Sequence, residues 1–487
     1  MKKKFLLLLM CIFPTLLVAQ KSLLHFRDSK FVIAQFTDLH WTPTSPKCSE
    51  TTATIRAVLE SEKPDLAVLT GDVVTDTPAG EGWMAVATLF NEAEIPFVVV
   101  MGNHDAEYME KDAIYDLLLK FPFYVGQKGP ENITGCGNCV LPIYDSKEKE
   151  QIMALLYCID SNDYQPNKFY GPYDWIHFDQ IAWYRDQSTS FTARNNGYPV
   201  PSLAFFHIPL VEYDQVASQG KLVGNKLEEE AHYSKVNAGL FSSFLDKKDV
   251  MGVFAGHDHD NDYIGMHMGI ALGYGRVTGA DAYGSLTRGA RMIQLYEGES
   301  KFDSWVATPS GREVAYYYPS GMNSDEEQNL SYQQALDVSS DRHGVAYTYY
   351  EGNCKRVSDI VSCNRLQEGV MPTISITEAI AKDHFAYQFR SLIQIPERGV
   401  YNFYTFSDDG SMLYIDGQVV VDNDGGHSGY RADGKIALEK GFHELCVSYF
   451  EDYMGQELEV GYSGRNVVET SLTENLLFLP TDESNPK

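Results

Sequence analysis

The sequence predicts a layered α/β domain followed by an all-β domain. Two observations carry this. From residue 30, apolar strand-like runs alternate with helix-like runs, and each strand-like run ends on polar residues. From about residue 341 the texture changes to short alternating runs separated by Gly- and Asp-containing turns. At 487 residues and 44% hydrophobic content, the chain is long enough for more than one core.

Residues 1–20 read as a signal peptide. Lys2, Lys3 and Lys4 precede a nearly unbroken apolar run, and Val18-Ala19-Gln20 offers a small-residue cleavage site. The run is shorter than a spanning helix needs, and Pro14 interrupts it. The expectation is therefore export, periplasmic or extracellular, with no transmembrane segment in the mature chain. A formal charge of -28 gives no electrostatic footprint for long nucleic acid. Seven of the eight cysteines lie beyond Cys11 of the leader, and export permits disulfides. Cys354 and Cys363 flank a short segment and are a candidate pair. Cys136 and Cys139 suit a local or Cys48-linked disulfide, and Cys158 and Cys446 suit buried thiols.

The first domain is expected over residues 21–308. Its opening reads strand 31–36, helix 51–61, strand 65–70, helix 81–94 and a strand reaching Met101. After a less regular stretch come strand 202–206, helix 236–245, strand 250–255 and a closing strand at 291–296. Residues 309–340 are rich in Ser, Pro, Gly, Asn and charge and read as a linker. Residues 341–487 form the β-sandwich.

Five polar clusters fall at carboxyl ends of strand-like runs: Asp38-x-His40, Gly71-Asp72, Gly102-Asn103-His104-Asp105, His207 and Gly256-His257-x-His259. Ligands gather at those ends in open α/β sheets. Together the clusters supply the mixed nitrogen and oxygen donors suited to Zn, Mn or Fe. Two ions sharing one carboxylate can turn a water into hydroxide at neutral pH and grip phosphoryl oxygens as charge builds.

This set resembles the signature of calcineurin-like metallophosphoesterases. The resemblance covers about residues 30–300 and implies a four-layer α/β/β/α sandwich with a dinuclear centre. It places Asp38, His40, Asp72 and His259 on one metal ion and Asp72, Asn103, His207 and His257 on the other, with Asp72 bridging. His104 would be the catalytic acid or transition-state stabiliser, and Asp105 would orient it. Asp258, between two ligands, reads as a turn residue. The stretches EKPDLAVLTGD, GPYDWIHFDQIAWY and VFAGHDHDNDYIG are similar to plant and fungal enzymes known as inactive or atypical purple acid phosphatases. True purple acid phosphatases have a tyrosine ligand where this chain has Thr75, so no tyrosinate colour is expected. Asn162, Tyr263 and Tyr274 are candidate rim residues around the substrate.

The C-terminal domain resembles the protective-antigen-type β-sandwich. The residues that carry this are Gly399 to Phe403, Ser407-Asp408-Asp409-Gly410-Ser411, Tyr414-Ile415-Asp416-Gly417 and Gly441-Phe442-His443. In the adhesin branch of that family, paired aspartates help bind calcium and a sugar, and Asp408-Asp409 match the pair. The expected activity is hydrolysis of a phosphomonoester or phosphodiester outside the cytoplasm, with glycan contact through the second domain. The alternatives are a glycan- or surface-binding protein with a vestigial phosphoesterase domain, and a nuclease or nucleotidase.

Overall fold

The structure is a computed structural model. It describes residues 24–480 apart from 148–149, 220 and 465–466; the expected signal peptide lies outside the described residues.

Strand Leu66–Thr70 is buried at every position, as expected of a parallel strand covered on both faces. It pairs in parallel with Lys30–Phe36 on one side and Phe97–Val100 on the other. The intervening helix Cys48–Glu62 buries Ile55, Val58 and Leu59 on one stripe, and Lys63 ends it in the left-handed region just before Pro64. Beyond Lys30–Phe36 the sheet continues through Ala290–Tyr296 and Phe302–Thr308. The second sheet is built around the parallel strands Ile152–Cys158, Ser202–Phe205, Val250–Ala255 and Ile270–Tyr274.

The two sheets pack face to face through Phe31, Ile33, Val68, Val98, Phe205, Phe254 and Phe302. Helices Cys48–Glu62, Ala79–Glu92 and Lys111–Leu118 cover the outer face of one sheet, with Trp83 and Phe90 buried beneath them. Helices Phe178–Arg194, Glu212–Ser218 and Leu240–Lys247 cover the other, over Tyr184, Phe206 and Phe244. The layers are therefore α/β/β/α, as the resemblance implied.

The strand at 291–296 does not close the domain. Inside the stretch read as a linker, Gly311–Arg312, Tyr316–Tyr318 and Met322–Asn323 add onto the first sheet. Tyr316 is buried against Phe302, and Glu313 accepts a 2.7 Å hydrogen bond from the buried Arg276 guanidinium. Strands of only two or three residues carry too little pattern to be told from a linker by composition.

The C-terminal domain is a two-sheet sandwich of antiparallel strands. One sheet is centred on Phe385–Ile395 and Gly441–Glu451, the other on Gly399–Asp408 and Glu457–Gly464. Alternate residues such as Tyr387, Phe389, Phe403, Leu413, Val447 and Tyr462 fill the space between them. Among the described residues no helix is long and apolar enough to cross a membrane.

Cys354 and Cys363 stand with their sulfurs 2.9 Å apart. In an oxidising compartment they are expected to form a disulfide, which non-reducing peptide mapping detects. Its closure of a short loop is worth about 2–3 kcal/mol, read as a lower Tm for Cys363→Ser. Cys48 instead donates to the Thr42 carbonyl at 3.1 Å, and Cys48, Cys136 and Cys139 all stand as free thiols. Cys158 is buried, whereas Cys446 is only partly so.

Candidate metal centre

Each polar cluster sits where a strand of the buried layers runs out into a loop. Lys30–Phe36 delivers Asp38 and His40, Leu66–Thr70 delivers Asp72, and Phe97–Val100 delivers Asn103 and His104. Ser202–Phe205 delivers His207, and Val250–Ala255 delivers His257 and His259. The backbone is left-handed at Asp38 (φ 51°), His40 (φ 41°), Asp72 (φ 48°) and His257 (φ 82°). Such conformations cost of order 1–3 kcal/mol each for non-glycine residues and persist where the surroundings fix them, often at functional sites. The neighbouring glycines are needed for space. A Cβ on Gly71 would lie 2.4 Å from His207 Nδ1, and one on Gly256 would lie 2.0 Å from Thr37 Oγ1.

The donor atoms fall into two groups. Asp38, His40 and His259 form one, and Asp72, His207 and His257 the other, each with its ligand atoms within 4.8 Å of one another. His259 Nε2 is 3.2 Å from Asp38 Oδ1 and 3.2 Å from His40 Nε2. His207 Nε2 is 3.2 Å from Asp72 Oδ2 and 3.3 Å from His257 Nδ1. Asp72 Oδ2 also lies 3.7 Å from His40 Nε2, so this carboxylate faces both groups.

The residues fit two cations. Asn103 is only 1% exposed and its Oδ1 has no hydrogen-bond partner, while its Nδ2 donates to the Tyr164 hydroxyl at 3.0 Å. A buried amide oxygen without a partner is costly unless a cation takes it. His207 Nδ1 is 2.8 Å from the Thr70 carbonyl and His259 Nδ1 is 3.3 Å from that of Tyr283. Those bonds turn each Nε2 lone pair toward the cluster, the arrangement metal-binding histidines use.

The charges agree. Burial alone would raise Asp38, but His259 beside it holds the carboxyl at about 2. Asp72 is likewise held well below the usual carboxylate range, against its burial, by His207. Burial depresses His40 to about 4, against the pull of Asp72, and burial with the neighbouring His207 depresses His257 to about 4. Both rings are therefore neutral at pH 7, whereas, against burial, Asp72 raises His207 to about 10 and Asp38 raises His259, so those two rings must each release a proton to take a cation.

The Asp105 carboxylate does not reach His104. Oδ1 accepts from the Val73 and Val74 amides at 2.7 and 3.1 Å, and Oδ2 accepts from Gly102 at 2.8 Å. It therefore ties the Asp72 loop to the Asn103 loop. Asp105→Asn would set an amide NH₂ against one of these N–H donors. The expected result is a loss of about 1–3 kcal/mol, read as a lower Tm. His104 is oriented by Glu107 instead, whose Oε1 is 2.8 Å from Nδ1, and Tyr164 OH lies 3.2 Å from Nε2. The His104 backbone amide donates to Asp72 Oδ1 at 2.9 Å.

Asp258 does more than turn the chain. It accepts from Tyr274 OH at 2.5 Å and lies 2.7 Å from His232 Nδ1. Tyr274 is thus buried behind the site, not on its rim. Tyr263 is buried too and donates to the Tyr213 carbonyl, and Asn162 is locked onto Trp175 O and Gln180 Oε1. The rim is formed by Tyr164, Tyr173, Tyr283, His232 and Glu107, none of which the sequence marked. Tyr283 stacks on His259 and Tyr173 stands edge-on to His257. A cluster of aromatics in 164–175 was the available signal, without a period to aim it.

In the C-terminal domain, Asp408 and Asp409 come together with Glu451. Asp409 accepts backbone N–H bonds from His427 at 2.9 Å and Asp452 at 3.0 Å. Burial, with the two aspartates, raises the Glu451 carboxyl to about 7.

Residues 31–261 match the model of the calcineurin-like phosphoesterase family, and residues 341–466 match that of the PA14 domain. The chain is 31% identical over 335 residues to "Probable inactive purple acid phosphatase 29" of Arabidopsis thaliana, covering 62% of this chain and 86% of that protein. It is 30% identical over 266 residues to phosphatase DCR2 of Saccharomyces cerevisiae, covering 48% of this chain and 45% of that one. A dimetal phosphatase from Danio rerio superposes with a TM-score of 0.42 at 11% identity, over 59% of this chain and 98% of that one. The chain belongs to the calcineurin-like metallophosphoesterases, with purple-acid-phosphatase-like relatives, and carries a PA14 domain at its C-terminal side.

Proposed function

We propose that this protein is an exported phosphoester hydrolase that works with two bound cations, Mn, Zn or Fe, held by Asp38, His40, Asp72, Asn103, His207, His257 and His259. The observation that carries the reading is the pair of donor groups, Asp38 with His40 and His259 and Asp72 with His207 and His257, together with the buried and unpartnered Asn103 Oδ1. When bound, the ions supply positive charge for the phosphoryl oxygens and lower the pKa of a water to the neutral range. The chain does the rest. Asp72 spans both donor groups, and its other oxygen holds the His104 amide. Glu107 on Nδ1 keeps the His104 ring turned so that Nε2 faces the mouth beside Tyr164 OH, where a leaving alkoxide would take a proton. Burial pushes the Tyr164 hydroxyl up to about 12, so it serves as a neutral donor.

The PA14 domain supports a targeting role, in which Asp408, Asp409 and Glu451 would hold calcium, an ion that would supply positive charge for a sugar hydroxyl. A second reading is a glycan-binding protein whose phosphoesterase domain is vestigial; the name of the Arabidopsis relative favours it, and the intact donor set opposes it. Turnover of p-nitrophenyl phosphate against bis-p-nitrophenyl phosphate decides between them, using protein reconstituted with Mn²⁺, Zn²⁺ or Fe²⁺. Metal-dependent turnover establishes the hydrolase, and the preferred ester separates monoesterase from diesterase. Folded protein that turns over neither ester with any metal leaves the binding reading.

A further inference from the structure

The metal-ligand cluster is flanked by tyrosine rings at both donor groups, and these rings are held in place. Tyr283 covers one face of the His259 ring with 3.8 Å between centroids and 24° between planes, yet it remains 58% exposed. With that face covered, much of the remaining ring surface is exposed to solvent. The loop beneath is anchored on several sides. Arg288 donates to the Ala282 carbonyl at 2.6 Å and to that of Tyr283 at 3.2 Å. The Ser285 amide donates to Asp260 at 2.6 Å, and Lys47 donates to the Ala280 carbonyl at 3.2 Å.

At the other donor group, Tyr173 meets the His257 ring edge-on at 4.6 Å and lies nearly parallel to Tyr164. These two tyrosines pair across a hairpin. Gln165 closes it, its amide donating to the Pro172 carbonyl and its side chain to Asp174, both at 2.8 Å.

An exposed ring removes little apolar surface from water, so it adds little to stability. A ring fixed beside the reaction centre is, however, a face on which a flat ligand can stack without paying to order it. Glu107 and Glu228 stand at the same mouth, beside His104 and His232, and disfavour a second anionic group on the ligand.

We infer that the site selects phosphoesters whose leaving alcohol carries a flat ring, aryl or nucleoside, and that the exposed side of Tyr283 is where the ring stacks. The inference rests on the hydrolase reading above and names its substrate class.

The test is calorimetric titration of the full chain, loaded with Mn²⁺, with phenylphosphonate and with methylphosphonate, neither of which is hydrolysed. The wild type is expected to bind phenylphosphonate about 10-fold more tightly. That ratio should fall to about 1 in Tyr283→Ala and return in Tyr283→Phe, which keeps the ring face. Equal affinities in the wild type would overturn the inference. So would an equal loss for both ligands in Tyr283→Ala, which is what a mere support for His259 gives. The ratio of wild-type to Tyr283→Ala kcat/KM on phenyl phosphate, adenosine monophosphate and glycerol phosphate then separates the ring sources, because leaving-group reactivity cancels in it: a larger ratio for either ring ester supports the inference, and an equal ratio for all three overturns it. A protein that binds with the ring preference but hydrolyses nothing supports ring recognition and overturns the hydrolase reading instead.

Discussion

Asp72→Asn is expected to weaken binding of at least one metal ion by more than about 100-fold and to lower turnover by about 10³-fold. Loss of groups that merely support metal ligands already costs about 10–100-fold in affinity or activity, and Asp72 touches both donor groups itself. Its Oδ2 is 3.2 Å from His207 Nε2 and 3.7 Å from His40 Nε2. Asparagine keeps the shape and one acceptor oxygen, so the bond from the His104 amide survives and the fold is retained. What it removes is the negative charge that offsets two cations. Metal content after dialysis, with the circular dichroism spectrum as the control for folding, checks the first part. Full metal occupancy in the variant would show that Asp72 does not bridge.

His104→Ala is expected to keep both metal ions and lose about 10²-fold or more in kcat. The side chain contacts Glu107 and Tyr164, whereas the tie to Asp72 runs through the backbone amide, which alanine retains. If His104 gives a proton to the leaving group, the loss depends on that group. An alkyl phosphate needs the proton and should suffer the full effect. p-Nitrophenolate leaves readily without it and should suffer less than about 10-fold. An equal loss on both esters would assign His104 to charge stabilisation alone.

The residues of the two donor groups were legible in the sequence because each follows a buried apolar strand within two to four residues. Val98 to Val100, for example, is an unmistakable run, and Asn103 and His104 follow it after Met101 and Gly102. The strand order that brings Asp38 and His259 together could be inferred only through the family resemblance, since 220 residues separate them. The rim was not legible. Tyr263 and Tyr274 lie near the last metal motif in sequence, as rim residues would, but their hydroxyls are spent on Tyr213 O and Asp258 Oδ2. Nothing local distinguishes a tyrosine that ends on a buried carboxylate from one that ends in solvent. Tyr164 and Tyr173 sit in a hairpin with no hydrophobic period, and Tyr283 sits in a loop fixed by the distant Lys47 and Asp260. Asp105 was placed in the right cluster with the wrong partner. Adjacency to His104 suggested a side-chain bond, whereas the buried amides of Val73, Val74 and Gly102 had the greater need of an acceptor.

The most direct measurement is the rate of p-nitrophenyl phosphate hydrolysis by metal-free protein as Mn²⁺ is added in known equivalents. A two-ion centre built on Asp72 predicts activity that climbs to a plateau at two equivalents per chain and stays about 10³-fold lower throughout for Asp72→Asn. A plateau at one equivalent, or a rate that does not respond to metal, would contradict it.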